Sequence, residues 1–144
     1  LRSEKSAMLW REIRDIQPLC GDLLKHIWRV SLAPTDGPRL ANWIEKNTKA
    51  DFYMDWSGGL VWISLDENIS QFAEKLRSIV SGFGGHATLI RANDNASGDD
   101  RDLVGVFNPV GDALAPLIKR VKQSFDPDEI LNPGRMYGAE LNIK

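Results

Sequence analysis

The sequence contains little cysteine and histidine and has no strong charge bias. Its 144 residues include one cysteine, Cys20, and two histidines, His26 and His86. A single cysteine excludes an internal disulfide, and so few nitrogen and sulfur ligands do not supply the three or four that a zinc site needs. The net charge of −2, with Lys and Arg spread along the chain, argues against a nucleic-acid or anionic-membrane partner. We therefore expect no metal site and no polyanion ligand.

Long apolar runs are also missing. No segment approaches the ~20 consecutive apolar residues of a membrane span, and no signal-type apolar segment follows the first residues. The remaining composition, 42% hydrophobic and 26% charged, is typical of one globular domain over residues 1–144. The chain begins at Leu1 instead of methionine, which suggests a piece of a longer protein.

Alternating and helical patterns follow one another in the order β-α-β-β-α-β. The strand patterns are "HIWRVSL", "DFYMDW", "LVWISL" and "HATLIRA", and the helical patterns between them are "PTDGPRLANWIEK" and "NISQFAEKLRSIVSGFGG". This order predicts a ferredoxin-like α+β domain, in which both helices cover one face of a four-stranded antiparallel sheet. Asp36 and Asn68 stand where the two helices need N-terminal caps.

Further elements flank this pattern. A lead-in helix is predicted over "SEKSAMLWREIRDIQP", ending at Pro18, and a last helix over "GDALAPLIKRVKQSF", with Pro116 in its first turn. Between the sheet and the last helix, "NDNASGDDRD" is a polar loop and "LVGVFNPV" favours a short extra strand.

The second face of the predicted sheet lacks a covering helix. Alternation points one set of side chains to the helices, namely Trp28, Val30, Leu32, Phe52, Met54, Trp56, Val61, Ile63 and Leu65. It points another set to the open face: Arg29, Ser31, Tyr53, Asp55, Trp62 and Ser64. The fourth strand leaves two choices, His86, Thr88 and Ile90 on the open face or Ala87, Leu89 and Arg91. The first is favoured because Leu89 is the better core residue.

The segment "FDPDEILNPGRMY" predicts a rigid corner after the last helix. Asp126 can cap, Pro127 suits a first helical position, and "DEIL" makes about one turn. Pro133 forces Asn132 out of helical geometry, and Pro133-Gly134 suits a turn with positive φ at the glycine.

These motifs resemble a known family. "IWRVSLAP", "DWSGGLVWISL", "GGHATLIRA" and "FDPDEILNPGRMY", in this order and spacing, resemble the C-terminal cap region of the FAD-binding subunit of bacterial glycolate oxidase. That subunit is a member of the FAD-linked oxidase superfamily, which also contains vanillyl-alcohol oxidase. The resemblance covers residues from about 8 to 140. It implies a cap fragment whose separate FAD-binding domain, and whose partner subunits in a complex, lie outside this sequence. The expected location is the cytoplasm, with attachment to the inner membrane through partner subunits as the alternative.

The resemblance also implies a function and candidate residues. The cap would cover FAD while a small 2-hydroxy acid such as glycolate or D-lactate is oxidised, or while electrons are carried for a partner subunit. His86, Arg29 and Arg91 have the side chains that a base and carboxylate-binding cations need, so they are the candidate catalytic residues. Asn132, Pro133, Gly134 and Arg135 resemble the stretch that passes near FAD, where Arg135 would neutralise the pyrophosphate. The fragment alone is not expected to hold FAD.

Each candidate residue also has a purely structural interpretation. Arg29 could be a solvated surface cation, His86 could bond its own loop, and Arg135 could pair with Asp126 or Asp128. For the whole chain, the main alternative is a non-catalytic module that docks other subunits through the open sheet face. An RNA-binding sheet is disfavoured because a basic surface is missing.

Overall fold

The computed structural model describes residues 3–21, 25–66, 68–92, 104–134 and 136. The chain divides into two compact units, Leu1–Val106 and Phe107–Lys144. The predicted loop over residues 93–102 and Arg135 lie outside the described residues. None of the helices in the described ranges has the length and apolar character that crossing a bilayer requires.

The first unit contains the predicted α+β pattern. Its helices are α1 (Ser3–Arg14), α2 (Gln17–Cys20), α3 (Gly37–Asn47) and α4 (Ile69–Gly82), with two short 3-10 turns at Pro34–Asp36 and Trp56–Gly58. Its strands are β1 (His26–Ser31), β2 (Asp51–Asp55), β3 (Leu60–Leu65) and β4 (His86–Arg91). The second unit contains α5 (Ala115–Phe125).

The four strands form one antiparallel sheet in the order β2-β3-β1-β4. This order confirms the ferredoxin-like prediction, because each β-α-β crossover places its two strands on either side of a third. The hydrophobic core lies between one sheet face and the helices α3 and α4. The buried apolar side chains that form it include Trp28, Val30, Leu40, Ile44, Val61, Ile63, Phe72, Leu76, Ala87 and Leu89.

Helix α4 has the predicted cap and apolar stripe. The Asn68 side chain accepts a hydrogen bond from the amide of Gln71 at 3.0 Å, which satisfies one of the free donors at the helix start. The stripe residues Ile69, Phe72, Ala73, Leu76 and Val80 are buried, and Ile79 is partly buried against them. Helical spacing in the sequence was therefore sufficient to identify the core side of this helix.

Proline does not end the lead-in helix, contrary to the prediction. The first helix stops at Arg14, Ile16 adopts a left-handed conformation with φ 49°, and Pro18 lies in the first turn of α2. A proline is tolerated there because a first-turn residue has no intrahelical hydrogen bond to lose.

Two other local predictions were wrong. Asp36 lies at the N-cap of α3, but no side-chain cap bond forms; its carboxylate binds Arg39 at 2.8 Å instead. Residues 104–110, the described part of "LVGVFNPV", do not form a strand. Gly105 has a positive φ of 64°, which interrupts an extended run, although the carbonyl of Val106 accepts a hydrogen bond from the amide of Leu89.

Candidate functional site

The sheet face that points away from α3 and α4 carries three transverse rows of side chains. Directly paired residues on neighbouring strands share a face, so the strand register defines the rows. The lower row is Asp51, Ser64, Ile27 and Arg91; the middle row is Tyr53, Trp62, Arg29 and Thr88; the upper row is Asp55, Leu60, Ser31 and His86. The favoured choice for the fourth strand is confirmed for His86 and Thr88, which lie on this face while Leu89 lies in the core; it is wrong for Ile90, which has no partner in the register, and Arg91 takes that place.

The lower row is covered by the α1–α2 region. Ser64 Oγ donates to the carbonyl of Leu19 at 3.3 Å, and Ile27 is 1% exposed. Lys25 pairs with Asp51 at 2.7 Å. The face that was expected to be bare is thus closed at one end by the lead-in helices, and the accessible side chains lie in the middle and upper rows, where Leu60 is nevertheless buried.

Tyr53 connects the covered end to the middle row. Its hydroxyl donates to the carbonyl of Ile13 at 3.0 Å. Burial raises the pKa of the Tyr53 phenol, and the nearby charge of Asp55 raises it further. The phenol therefore stays protonated at neutral pH and acts here as a hydrogen-bond donor to the backbone.

Arg29 lies at the centre of the accessible part of the face. Its neighbours across the sheet are Trp62 on β3 and Thr88 on β4. The side chain is half-buried, and within the described ranges it has neither a hydrogen bond nor an ion pair. A guanidinium in this position can bind a carboxylate through two parallel N–H donors, while the Trp62 indole offers a surface for a planar group.

His86 begins β4 in the upper row, directly opposite Ser31. A Cβ at Gly85 would approach the carbonyl oxygen of Ser31 to 2.5 Å and Cβ of Leu32 to 2.9 Å. The glycine before His86 is therefore required by a close backbone contact. His86 is exposed and a diagonal neighbour of Arg29, at about 7–8 Å for such pairs. The loop hydrogen bond considered for His86 is not seen among the described residues.

Arg91 reaches the same face through a β-bulge. The register shifts between Ile27 and Trp28, so that Trp28 pairs with Leu89 and Ile27 pairs with Arg91. Simple alternation places Arg91 and His86 on opposite faces of the sheet. The extra residue in β4 turns the Arg91 side chain to the same face as His86. Its guanidinium donates to the carbonyl of Lys25 at 3.3 Å through both Nε and Nη2. The structure therefore brings Arg29 and His86 together in the accessible rows and places Arg91 in the covered one.

Trp56 is a candidate that alternation missed. It was expected to point to the core as a continuation of β2, but the strand ends at Asp55 and the indole is 64% exposed. Trp56 and Ser57 have positive φ angles of 51° and 56°, each costing about 1–3 kcal/mol for a residue other than glycine. The Asp55 carboxylate accepts a hydrogen bond from the Trp56 amide at 2.7 Å and helps to hold this turn. A strained turn that exposes a large aromatic ring lies beside the upper row.

The second unit contains the corner that the sequence predicted. The Asp126 side chain, 4% exposed, accepts hydrogen bonds from the amides of Ile130 at 2.9 Å and Leu131 at 3.0 Å and from Lys122 Nζ. Lys122 Nζ also donates to the carbonyl of Leu131 at 3.1 Å. The expected helical turn over "DEIL" is not helical, because Glu129 has a positive φ of 54°. Asp126 still organises the segment by bridging it to the preceding helix.

The following turn has the predicted glycine conformation. Gly134 has φ 68°, and Asn132 also has a positive φ of 48°. Asn132, Pro133 and Gly134 are exposed, so their backbone groups are available for a ligand or a partner. The position of Arg135, and therefore its expected contact with a pyrophosphate, lies outside the described residues.

The corner should loosen in acid. The hydrogen bond from Lys122 lowers the pKa of Asp126 below its ordinary value of 3.8; burial opposes this, and the two amides add to it. A carboxyl with a depressed folded pKa stabilises the folded form above the unfolded pKa, and that stability is lost as the pH falls through the folded pKa. In an NMR titration, the amide protons of Ile130 and Leu131 should shift with one midpoint below pH 3.8.

Asp126→Asn is the matched control, because it keeps the shape of the side chain and removes its charge. The transition at both amides should then disappear. A midpoint at or above 3.8 in the unaltered chain would contradict the assigned contacts.

Comparison with known proteins identifies a similar bacterial subunit. The chain is 31% identical over 138 residues to the glycolate oxidase subunit GlcE of Escherichia coli (strain K12). The alignment covers 96% of this chain and 33% of that subunit, so the chain spans about a third of the length of its relative. No protein-family model and no solved structure matches the chain.

Proposed function

Because this chain is a relative of a glycolate oxidase subunit, we propose that it is the cap of a flavoprotein subunit of that type and that its accessible sheet rows cover FAD. The similarity over 96% of the chain confirms the resemblance to a glycolate oxidase subunit that the motifs indicated. The observation that carries the proposal is Arg29, a half-buried cation on an accessible sheet face with no partner in the described ranges.

The residues on this face fit a planar cofactor and a small acid. Trp62 presents a half-buried indole next to Arg29, and Thr88 presents a hydroxyl on its other side. The indole suits contact with a ring, and the guanidinium suits a carboxylate. When bound, FAD supplies the acceptor for a hydride from the carbon that bears the hydroxyl group.

The proposal assigns a role to each candidate residue. Arg29 binds and orients the carboxylate of the 2-hydroxy acid. His86, exposed at the diagonal position, takes the hydroxyl proton at a ring nitrogen. Arg91 lies in the covered row and is bonded to the carbonyl of Lys25, so it acts on the shape of the sheet end instead of touching substrate. The family resemblance assigns FAD binding to Asn132, Pro133, Gly134 and Arg135, of which the first three are exposed.

The proposed reaction also needs a domain and subunits that lie outside this sequence. An FAD-binding domain in the rest of the subunit would hold most of the cofactor, and further subunits of a glycolate oxidase-like complex would exchange electrons with it. Oxidation by this subunit and electron transport on behalf of a partner are both compatible with the cap arrangement. The response of the flavin to substrate separates them.

The absorption spectrum of the full-length protein tests the proposal. We expect a yellow protein whose visible flavin band is bleached by glycolate or D-lactate when oxygen is excluded. A yellow protein that neither acid bleaches indicates an electron-carrying subunit. A colourless protein that still binds its partner subunits would overturn the cap proposal and favour the docking alternative, which the exposed Trp56 and Ile90 also suit.

Substitution of Arg29 tests its assigned role in the same protein. Arg29→Gln should raise the concentration of hydroxy acid that gives half-maximal bleaching by about ten- to a hundredfold, since a hydrogen bond to a charged group contributes roughly 1.5–3 kcal/mol. Arg11→Gln, at an exposed position of α1, is the matched control and should leave this concentration unchanged. If both variants needed the same concentration of hydroxy acid for half-maximal bleaching, Arg29 would not be part of the binding site.

A further inference from the structure

Helix α5 exposes a continuous apolar surface. At 100° per residue, its large apolar side chains fall within an arc of about 100°, which is the width of a stripe that normally faces a core. We call this set the α5 stripe; it consists of Leu114 at the N-cap and of Leu117, Ile118, Val121 and Phe125 within the helix. Four of the five are well exposed, at 51% for Leu114, 47% for Leu117, 50% for Val121 and 83% for Phe125.

The unit that contains α5 has no apolar core of its own in its described part. Over residues 107–134 and 136, no apolar side chain is buried, and the one buried residue is Asp126. A helix of 11 residues is marginal in isolation, because most helical stability comes from packing of the apolar side. Such a helix needs an apolar surface against the stripe.

Hydrogen bonds within the second unit fix the direction of the chain after α5. Lys122 on α5 binds Asp126 and the carbonyl of Leu131, so the corner is attached to the helix that carries the stripe.

Gln123 lies on the opposite side of the helix, about 160° from Val121 at 100° per residue. The helix thus has an apolar side suited to a partner and a polar side suited to water.

We infer that the α5 stripe is an interface, and that its occupant is an apolar surface of the same subunit that lies outside these 144 residues. About two thirds of GlcE has no counterpart in this chain. A full-length protein as long as GlcE would therefore contain enough further residues to supply that surface. The inference rests on the proposed function, because it takes the chain to be the cap of a longer subunit. It goes beyond that function by naming the surface that joins the cap to the rest of the subunit.

Photo-crosslinking in the full-length protein identifies the occupant. A p-benzoylphenylalanine residue in place of Phe125 is a mild change at the most exposed stripe position, and the same residue in place of Gln123 is the matched control. We expect the probe at 125 to crosslink, at least about fivefold more than the probe at 123, to peptides outside residues 1–144. Crosslinks within residues 1–144, a crosslinked dimer of two copies, or no excess over position 123 would each overturn the inference.

A charge on the stripe gives an independent measurement. Val121→Lys should lower the melting temperature of the full-length protein by several degrees, whereas Gln123→Lys should leave it nearly unchanged. Equal melting temperatures would count against the interface. The flavin absorbance of the same samples separates the two proposals, since a colourless protein with the expected crosslinks would retain the interface and lose the FAD-cap function.

Discussion

Trp28→Ala is expected to lower the free energy of unfolding of the chain by about 4 kcal/mol, as for large aromatic residues removed from a protein core. Trp28 is fully buried on β1. Its ring packs edge-on against Phe72 of α4 at a centroid distance of 6.0 Å, and the guanidinium of Arg77 lies 5.4 Å from its centroid. Alanine would leave a large cavity between the sheet and α4 and would remove both ring contacts.

Chemical denaturation followed by circular dichroism measures this loss. Trp10→Ala is the matched control, because Trp10 is 63% exposed on α1 and its removal should change the free energy of unfolding by less than about 0.5 kcal/mol. Trp28→Phe should be much milder than Trp28→Ala. It keeps a ring against Phe72 and removes an indole N–H that is buried without a hydrogen-bond partner among the described residues. Similar losses for Trp28→Ala and Trp10→Ala would disprove the central position of Trp28.

Gly37→Ala is expected to cost about 3 kcal/mol, at the upper end of the range for overpacked sites. Gly37 begins α3, and a Cβ at this position would lie 2.9 Å from Cα of Gly58 and in steric conflict with the Gly58 carbonyl oxygen. Gly58 itself has φ 95° and is packed against the carbonyl of Pro34. Because both neighbours are backbone, they cannot move aside as a flexible side chain would.

Gly82→Ala provides the control for this substitution. Gly82 is the last residue of α4, and a Cβ there would meet nothing within 4 Å. Alanine should therefore be neutral or stabilise the chain by up to about 1 kcal/mol, in line with helix propensity. Thermal or chemical unfolding of the two variants side by side checks the expectation. A Gly37→Ala variant as stable as Gly82→Ala would mean that the two backbones are not in contact.

The site depends on both of these regions. Trp28 and Arg29 are neighbours on β1 and point to opposite faces of the sheet. The packing of Trp28 in the core therefore controls the position of Arg29. The Gly37–Gly58 contact holds the turn that follows Trp56, at the end of the sheet where His86 begins β4. A loss of either is expected to disturb ligand binding through the positions of these side chains.

The sequence by itself determined the β-α-β-β-α-β order and the facing of most strands. Alternation has a period of two and helical spacing a period of 3.6, and both are properties of a few neighbouring residues. Arg29 was therefore assigned correctly to the face opposite Trp28, and the Leu76 side of α4 to the core. Pro133-Gly134 was sufficient to predict the positive φ of Gly134, because the turn geometry is local as well.

The tertiary structure decided what depends on residues distant in sequence. The bulge that moves Arg91 to the face of Ile27 is set by the pairing of β4 with β1, and the strained turn that exposes Trp56 is held by contacts around Gly58. The covering of the lower row depends on where α1 and α2 meet β3, as the bond from Ser64 to Leu19 shows. A local pattern states which side of an element is apolar, but the surface that covers that side is chosen by long-range packing.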